Sequence, residues 1–412
     1  MYRYQIQKRK RSKRGWGLPI ITALFSISSL IGALAVLPAV SPSTGAQVAD
    51  MIRSAAGPQP VAVIEGVSFW MQDQINQFQS KTSGGKLGIT LDHQGTTQQA
   101  VAQANISIPQ PKAQSRRISS AAPVIAQQPT IATATPLPST NVVSADPQIG
   151  WQAYGPSVNG QPAMAQALLT LDPQRSYAGI AVVRIDLSLL QLHMEPGFLE
   201  PSHATDVVNA IPNLGTIPTA DMSHLVAGFN GGFKAVNGKY GMVFNGVTLL
   251  TPVNSIATLA LYKDGHVQIG TWAHDLFPAD PNMVSFRQNC PPILSNGQID
   301  PRVYVDAPSL WGDTIGNQSI TWRTGLGITQ DGRYLIYAVG NGTSVATLAQ
   351  ALLVAGAYNA MQLDINRHYA HFVTYSPSDG HLTAVQLLDQ MESDPALYLT
   401  PHSRDFFYLT TK

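Results

Sequence analysis

The stretch Tyr240-Gly241-Met242-Val243-Phe244-Asn245-Gly246-Val247-Thr248-Leu249-Leu250 decides the fold. Two short apolar runs flank Asn-Gly, a dipeptide that accepts the positive φ of a primed two-residue turn, so a β-hairpin is predicted. Two further turns of this kind follow. Asp264-Gly265 separates 256–262 from 266–272, and Asp331-Gly332 separates 325–329 from 334–339. Three hairpins imply a sheet that is largely antiparallel. After the third, Thr343 or Ser344 caps a helix whose apolar stripe is Val345, Leu348, Ala349, Leu352 and Leu353, and Gly356 ends it. That helix crosses the sheet and hands the chain to a strand, 360–364. The predicted class is α+β, with a largely antiparallel or mixed sheet built from hairpins and crossing helices.

The rest of the chain is organised around that domain. Its 412 residues have room for two or three domains, yet only 12% are charged and 29 are proline, so part of the chain is not globular core. Residues 1–14 carry Arg3, Lys8, Arg9, Lys10, Arg11, Lys13 and Arg14. The uncharged stretch 15–40 that follows is long enough to cross about 30 Å of hydrocarbon, positive side in. A cleaved signal peptide competes with an uncleaved anchor, because small residues follow the apolar run. The anchor is favoured, since the run exceeds the roughly 7 to 15 residues of a signal core. Either reading exports the remainder, and the anchor gives a single-pass protein of the cell membrane with its bulk outside the cytoplasm.

Val63, Val67, Trp70, Met71, Ile75 and Phe78 recur at three- and four-residue steps and predict an amphipathic helix over 60–80, a surface for packing or self-association. Residues 81–145 are rich in Gln, Ser, Thr, Ala and Pro and cannot bury enough surface to offset chain entropy, so they are predicted to be a disordered tether. The folded domain is 146–412. Beyond the seven basic residues, 18 Lys and Arg face 24 Asp and Glu, a balance of about −6 that disfavours nucleic acid as a partner. Cys290 stands alone, so neither an intrachain disulfide nor a cysteine metal site is expected, and a packed thiol is the plain reading.

Three segments carry candidate chemistry. In Asn230-Gly231-Gly232-Phe233, paired glycines let backbone N–H groups approach an anion and Asn230 adds a side chain that donates and accepts; a mere tight turn is the alternative. Arg323 is an always-charged group among Trp322, Thr324, Leu326 and Ile328, and it needs an anion. That anion is either Asp364 in an internal ion pair or a substrate phosphate. Asp364 closes an apolar strand. If the strand continues, Asp364, Asn366 and His368 share one face and line a cleft. Acid, cation and amide together form a kit for gripping a phosphorylated sugar. The spacing after Asp364 fails as a calcium loop, because Tyr369 and Tyr375 stand where Gly and Glu are needed. The sequence contains no His-Glu-x-x-His and no Gly-x-Ser-x-Gly. No cofactor is expected, with a divalent cation left open.

In this order the segments resemble the phosphodiester glycosidase domain family, whose pattern runs Asn-Gly-Gly-Phe-Phe, then Arg-Thr-Ala-Ile-Gly before a hairpin, then a helix and Leu-Asp-Gly-Gly-Gly-Ser. Asn230 to Phe233 match the first block, Arg323, Thr324 and Gly327 the second, and Leu363-Asp364 the third, so the likeness spans about 226–372. Two departures stand out: Ile365-Asn366-Arg367-His368 replaces the glycine run and serine, and Lys234 replaces the second Phe. The resemblance implies cleavage of the bond between an anomeric carbon and a phosphodiester oxygen, in an envelope glycan or glycolipid. That leaving group is already acidic, so one carboxylate plus cations suffices. Asp364 is implied as nucleophile, base or oxocarbenium stabiliser, with Arg323 and His368 holding the phosphate. Asn230 and Asn366 are implied to orient sugar hydroxyls, and Gly231, Gly232 and Thr324 complete the binding set. The alternative is a catalytically inactive cell-surface module that binds glycans.

Overall fold

The computed structural model describes residues 149–200, 211, 215–277, 280–305, 308–312, 320–378 and 381–412, together with 77–78 and the backbone of 102–104. The basic tail, the apolar stretch 15–40 and all but two residues of the 60–80 helix lie outside these. Among the described residues no helix is long and apolar enough to cross a membrane. Within the stretch read as a tether, Ala102–Ala104 forms a short edge strand.

In chain order the main strands are β1 (Met164–Leu169), β2 (Ile180–Asp186), β3 (Leu190–Glu195), β4 (Leu225–Asn230), β5 (Met242–Phe244), β6 (Val247–Leu250), β7 (Ala257–Tyr262), β8 (Val267–Thr271) and β9 (Met283–Gln288). There follow β10 (Leu294–Ser295), β11 (Gln298–Ile299), β12 (Thr321–Ile328), β13 (Tyr334–Thr343), helix α1 (Val345–Val354), β14 (Asn359–Gln362), β15 (Phe372–Ser378), β16 (His381–Gln386) and β17 (Phe406–Thr411). An eight-stranded sheet runs β11-β10-β14-β12-β13-β2-β1 and ends on Gln152–Ala153. A six-stranded sheet runs from Ala102–Ala104 through β16-β15-β4-β17-β3, and a five-stranded one is ordered β6-β5-β9-β7-β8. Every pairing of named strands is antiparallel.

This bears out the largely antiparallel sheet and corrects the helical part of the expected class. Among the described residues α1 alone exceeds a single turn, so the domain is mostly antiparallel β, without a set of crossing helices. The turns explain part of the difference. Asn245 and Gly246 both have positive φ, 48° and 79°, and form the predicted two-residue turn. At the other two turns only Gly265 and Gly332 do, and the aspartates cap the backbone instead. Asp264 accepts from the His266 N–H at 3.1 Å and Asp331 from the Arg333 N–H at 3.1 Å, which lengthens both loops.

Helix α1 forms as its sequence dictates. Ser344 Oγ accepts from the Thr347 N–H at 3.0 Å, and the chain leaves through Gly356 at φ 100°. The Ala357 and Gly356 N–H groups close on the Leu352 and Leu353 carbonyls at 2.9 and 3.0 Å, a Schellman ending. α1 buries Leu348 and Leu352 against Ile180, Val182, Ile336 and Ala338 on one face of the eight-stranded sheet. The other face meets the six-stranded sheet through Leu326, Tyr337, Phe229, Phe372 and Phe407. Phe229 stacks on Phe372 at 5.8 Å and Tyr337 lies 5.0 Å from Phe372, ring centre to ring centre. Each such buried side chain contributes about 1.5–3 kcal/mol. Phe372→Ala would therefore cost about 3–5 kcal/mol. The rigid seam between the sheets carries β4, β12 and β14, whose ends build the site.

Candidate active site

β14 ends at Gln362, and the backbone stays beside β12 for two residues more. The Leu363 N–H donates to the Thr324 carbonyl at 2.8 Å, and the Thr324 N–H to that of Asp364 at 3.0 Å. The strand does not continue to His368. Asp364 Oδ1 accepts from the Asn366 N–H at 2.8 Å and Asn366 Oδ1 from the His368 N–H at 3.0 Å. Two successive side-chain caps turn the chain, so the expected alternation of Asp364, Asn366 and His368 along one face is lost. His368 Nδ1 faces Glu392 at 2.7 Å, and Arg367 pairs with the same carboxylate.

A small cavity is lined by Asn230, Gly231, Gly232, Asp364, Tyr369, Leu397, Tyr398, His402, Arg404 and Asp405. Its volume is about 10 Å³, the space of one water molecule. Asn230, Gly231, Gly232 and Asp364 therefore converge, whereas Arg323, Asn366 and His368 do not line it. Thr324 sits directly behind. Its hydroxyl donates to the Asp364 carbonyl at 2.7 Å and accepts from Asn230 Nδ2 at 2.9 Å, which ties two of the three motifs together.

Arg323 is a correction to the expected phosphate grip. Its side chain is buried and its guanidinium donates to the Thr343 carbonyl at 3.1 Å, the Trp311 carbonyl at 3.2 Å and Gln362 Oε1 at 2.6 Å. It holds the end of β13 and the 308–311 turn together, and it does not pair with Asp364.

The cation at Asp364 is Arg404, whose NH2 group bonds Asp364 Oδ2 and donates to the Gly232 carbonyl at 2.8 Å. Its guanidinium carbon stands 4.2 Å over the Tyr369 ring. Burial works against the charge, but the carboxylates of Asp364 and Asp405 hold the Arg404 pKa above its ordinary value. Arg404 Nε is buried and has no hydrogen-bond partner among the described residues. It is a desolvated donor on a charged group, a costly arrangement unless an anion comes to meet it.

The glycine turn also works differently from expectation. The Gly232 N–H donates to Asp405 Oδ2 at 3.1 Å, the Gly231 N–H to the Asp405 carbonyl at 3.1 Å, and the Phe233 N–H to Asn289 Oδ1 at 3.0 Å. These amides are spent within the protein, and the one that meets an anion, the Gly232 N–H, meets the protein's own Asp405. A Cβ at Gly231 would collide with that carboxylate, which is why glycine is needed. Asp405 is neutralised by Arg287 Nε at 2.9 Å. Asn230 is likewise spent internally: Nδ2 donates to the Gly231 carbonyl and to Thr324, while Oδ1 accepts from the Tyr337 hydroxyl at 2.9 Å and the His371 N–H at 3.2 Å. All four of its hydrogen bonds are made, so it positions the site and has none left for a sugar. Cys290 is buried, and burial pushes its thiol up to about 12, so it is inert.

His402, Arg404 and Asp405 were missed in the sequence. β17 pairs with β4 in the register Phe406 opposite Asn230, which sets the residues before Phe406 beside Gly231 and Gly232. The signal was akin to the one that singled out Asp364: charge at the boundary of an apolar run, here Arg404-Asp405 immediately before 406–409. Among the described residues no cluster of His, Cys, Asp and Glu is arranged to hold a metal ion.

Comparison with known proteins agrees with the motifs. Residues 223–364 match the family model described as NAGPA, phosphodiester glycosidase. The catalytic domain of zebrafish N-acetylglucosamine-1-phosphodiester alpha-N-acetylglucosaminidase, auto-inhibited by its pro-peptide, is 17% identical over 64% of this chain and 87% of that one, with a TM-score of 0.39. A protein from Synechocystis, 11% identical over 65% and 64% of the two chains, has a TM-score of 0.34. An exported protein from Burkholderia pseudomallei, 11% identical over 57% and 74%, has a TM-score of 0.30. No curated protein matches the chain. His402, Arg404 and Asp405 fall outside the matched segment.

Proposed function

Residues 223–364 match the phosphodiester glycosidase family, and from that premise we propose that the protein hydrolyses a sugar 1-phosphodiester. One observation supports this reading above the rest: a buried Asp364 beside a buried Arg404 whose Nε is unpartnered, on the rim of one cavity. Arg404 binds a phosphate oxygen through that donor. As the bond from the anomeric carbon to the phosphodiester oxygen breaks, negative charge grows on the phosphate against the guanidinium, and positive charge grows on the sugar against Asp364. The leaving phosphate needs no proton, so the site works without a second carboxylic acid. Asp405, Arg287, Asn230 and Thr324 fix the geometry.

The cavity has room for one water molecule or one phosphate oxygen, so the rest of the sugar phosphate lies at its mouth. The apolar stretch 15–40 behind seven basic residues motivates the placement: an anchor, the chain beyond it outside the cytoplasm, and an envelope glycan or glycolipid as substrate. The small cavity also favours a second reading, a module that binds such glycans without turnover. Incubating the full chain and its Asp364→Asn variant with sugar 1-phosphodiesters separates the two. Hydrolysis predicts release of reducing sugar by the wild type and a loss of about 1,000-fold in the variant. Full activity of Asp364→Asn refutes the assignment, and saturable binding without release establishes the module.

A further inference from the structure

The hydrolysis proposed above lacks one component: a group that takes the proton from the attacking water. Asp364 is poorly suited, since Oδ2 is committed to Arg404 and Oδ1 to the Asn366 N–H. Asp405 is committed to Arg287 and to the Gly232 N–H. The remaining titratable side chains on the cavity wall are Tyr369, Tyr398 and His402.

His402 is held in a defined state. Its Nδ1 lies 2.8 Å from the Arg404 carbonyl oxygen and 3.3 Å from the Arg404 N–H. The two contacts demand opposite tautomers. The carbonyl contact is the shorter, so Nδ1 carries the proton and donates it there, which leaves Nε2 as a lone pair. Tyr398 and Phe406 meet the ring edge-on at 5.6 and 6.0 Å, and Tyr369 does so at 6.5 Å, so the imidazole cannot swing away without losing three aromatic contacts. Nε2 makes no hydrogen bond to any described residue. An imidazole with one nitrogen anchored, the other unengaged, and a water-sized cavity shared with Asp364 and Arg404 has the arrangement of a general base.

We infer that His402 is the general base of this site and deprotonates the water that attacks the anomeric carbon. The inference rests on the hydrolytic reading. In the step, the water oxygen bonds the anomeric carbon as the bond from that carbon to the phosphodiester oxygen breaks. The electron pair of that bond leaves with the phosphate against Arg404, and the water proton passes to His402 Nε2 and then to solvent. The surroundings keep the ring neutral beforehand. Burial lowers its pKa, Arg404 lowers it further, and Asp405 with the Arg404 carbonyl opposes the shift. His371, at the start of β15, also faces it and is itself held neutral, pushed down to about 3 by burial and by His402.

Two variants test this on the full chain. His402→Asn places an amide N–H where Nδ1 donates and deletes Nε2; His402→Gln reaches to the position of Nε2 without basicity. Both should melt close to the wild type, lose about 100-fold in kcat/KM on a sugar 1-phosphodiester, and lose the acid limb of the pH profile. Added imidazole should restore part of the rate in His402→Asn. Wild-type kcat/KM and an unchanged acid limb in either variant overturn the base while leaving the hydrolysis standing. A wild type that releases no sugar condemns the hydrolytic reading and the base together.

Discussion

Two buried arginine–aspartate pairs lie on adjacent residues of one segment, and they differ in how completely they are satisfied. In Arg287–Asp405, Nε meets the carboxylate, NH1 the Gln288 carbonyl at 2.8 Å and NH2 the Phe233 carbonyl at 2.6 Å, while the carboxylate also accepts from Gly232. In Arg404–Asp364, the guanidinium leaves Nε unpartnered and stacks one face on Tyr369. A closed network is what a structural pair requires, because removing either partner leaves an uncompensated charge. An open one retains a donor that the fold does not use. On that difference Arg287–Asp405 is architecture and Arg404–Asp364 is the pair to which the proposed chemistry belongs, although the two pairs are equally charged and almost equally buried.

The sharpest way to break that comparison is to remove the cation of the closed pair. Arg287→Met strands Asp405 and the Tyr240, Gln288 and Phe233 carbonyls, and should cost about 3–5 kcal/mol in denaturant unfolding. A loss below about 1 kcal/mol would make the pair dispensable. Asp364→Asn tests the open pair for stability: one amide oxygen replaces two acceptors, so either Arg404 or the Asn366 N–H is left facing the amide NH2, and the cost should be about 1–3 kcal/mol in the same assay.

A subtler effect comes from Glu195, which backs His402 through Gly215. The Gly215 N–H donates to its carboxyl at 3.1 Å, and the Gly215 carbonyl accepts from the His402 N–H at 2.7 Å. Burial pushes the Glu195 carboxyl up to about 8 from an ordinary 4.5, against the pull of the Gly215 and Thr216 N–H groups. Between those values the unfolded chain loses the proton while the native state keeps it, so this group makes stability fall as pH rises from 4.5 to 8. Glu195→Gln should therefore melt higher than the wild type at pH 8 and converge with it near pH 4.5. Equal melting at both values would show that Glu195 is not held protonated. Smallest of all, Ser344→Ala removes the cap of α1, remote from both pairs, and should cost about 1 kcal/mol with kcat/KM unchanged. A change in kcat/KM would tie the crossover helix to the chemistry.

The hairpin at Asn245-Gly246 and the capped helix were legible in the sequence because each is written in local rules: positive φ at the turn, a hydroxyl before the helix and a glycine after it. The motif residues were legible as a group, and the seam that unites Asn230, Thr324 and Asp364 is where the sequence placed them. Their division of labour was not. Asn230 reads as a ligand until its four hydrogen bonds are counted, and Arg323 reads as a grip until its carbonyl partners are seen. The cation and base of the proposed reaction lie some 40 residues beyond Asp364, in 401–405, where no periodicity marks them. Only the antiparallel register of β17 against β4 brings them to the glycine turn, and such long-range pairing is not encoded in any short window.

In the proposed reaction Arg404, and not Arg323, receives the phosphate. Calorimetric titration of a sugar-free phosphate monoester into the full-length wild type, Arg404→Gln and Arg323→Gln, each verified as folded, tests it directly. Affinity should weaken at least about tenfold in Arg404→Gln and stay unchanged in Arg323→Gln, as befits a lost charge-assisted hydrogen bond. Undiminished binding by Arg404→Gln, with the loss falling on Arg323→Gln, would contradict it.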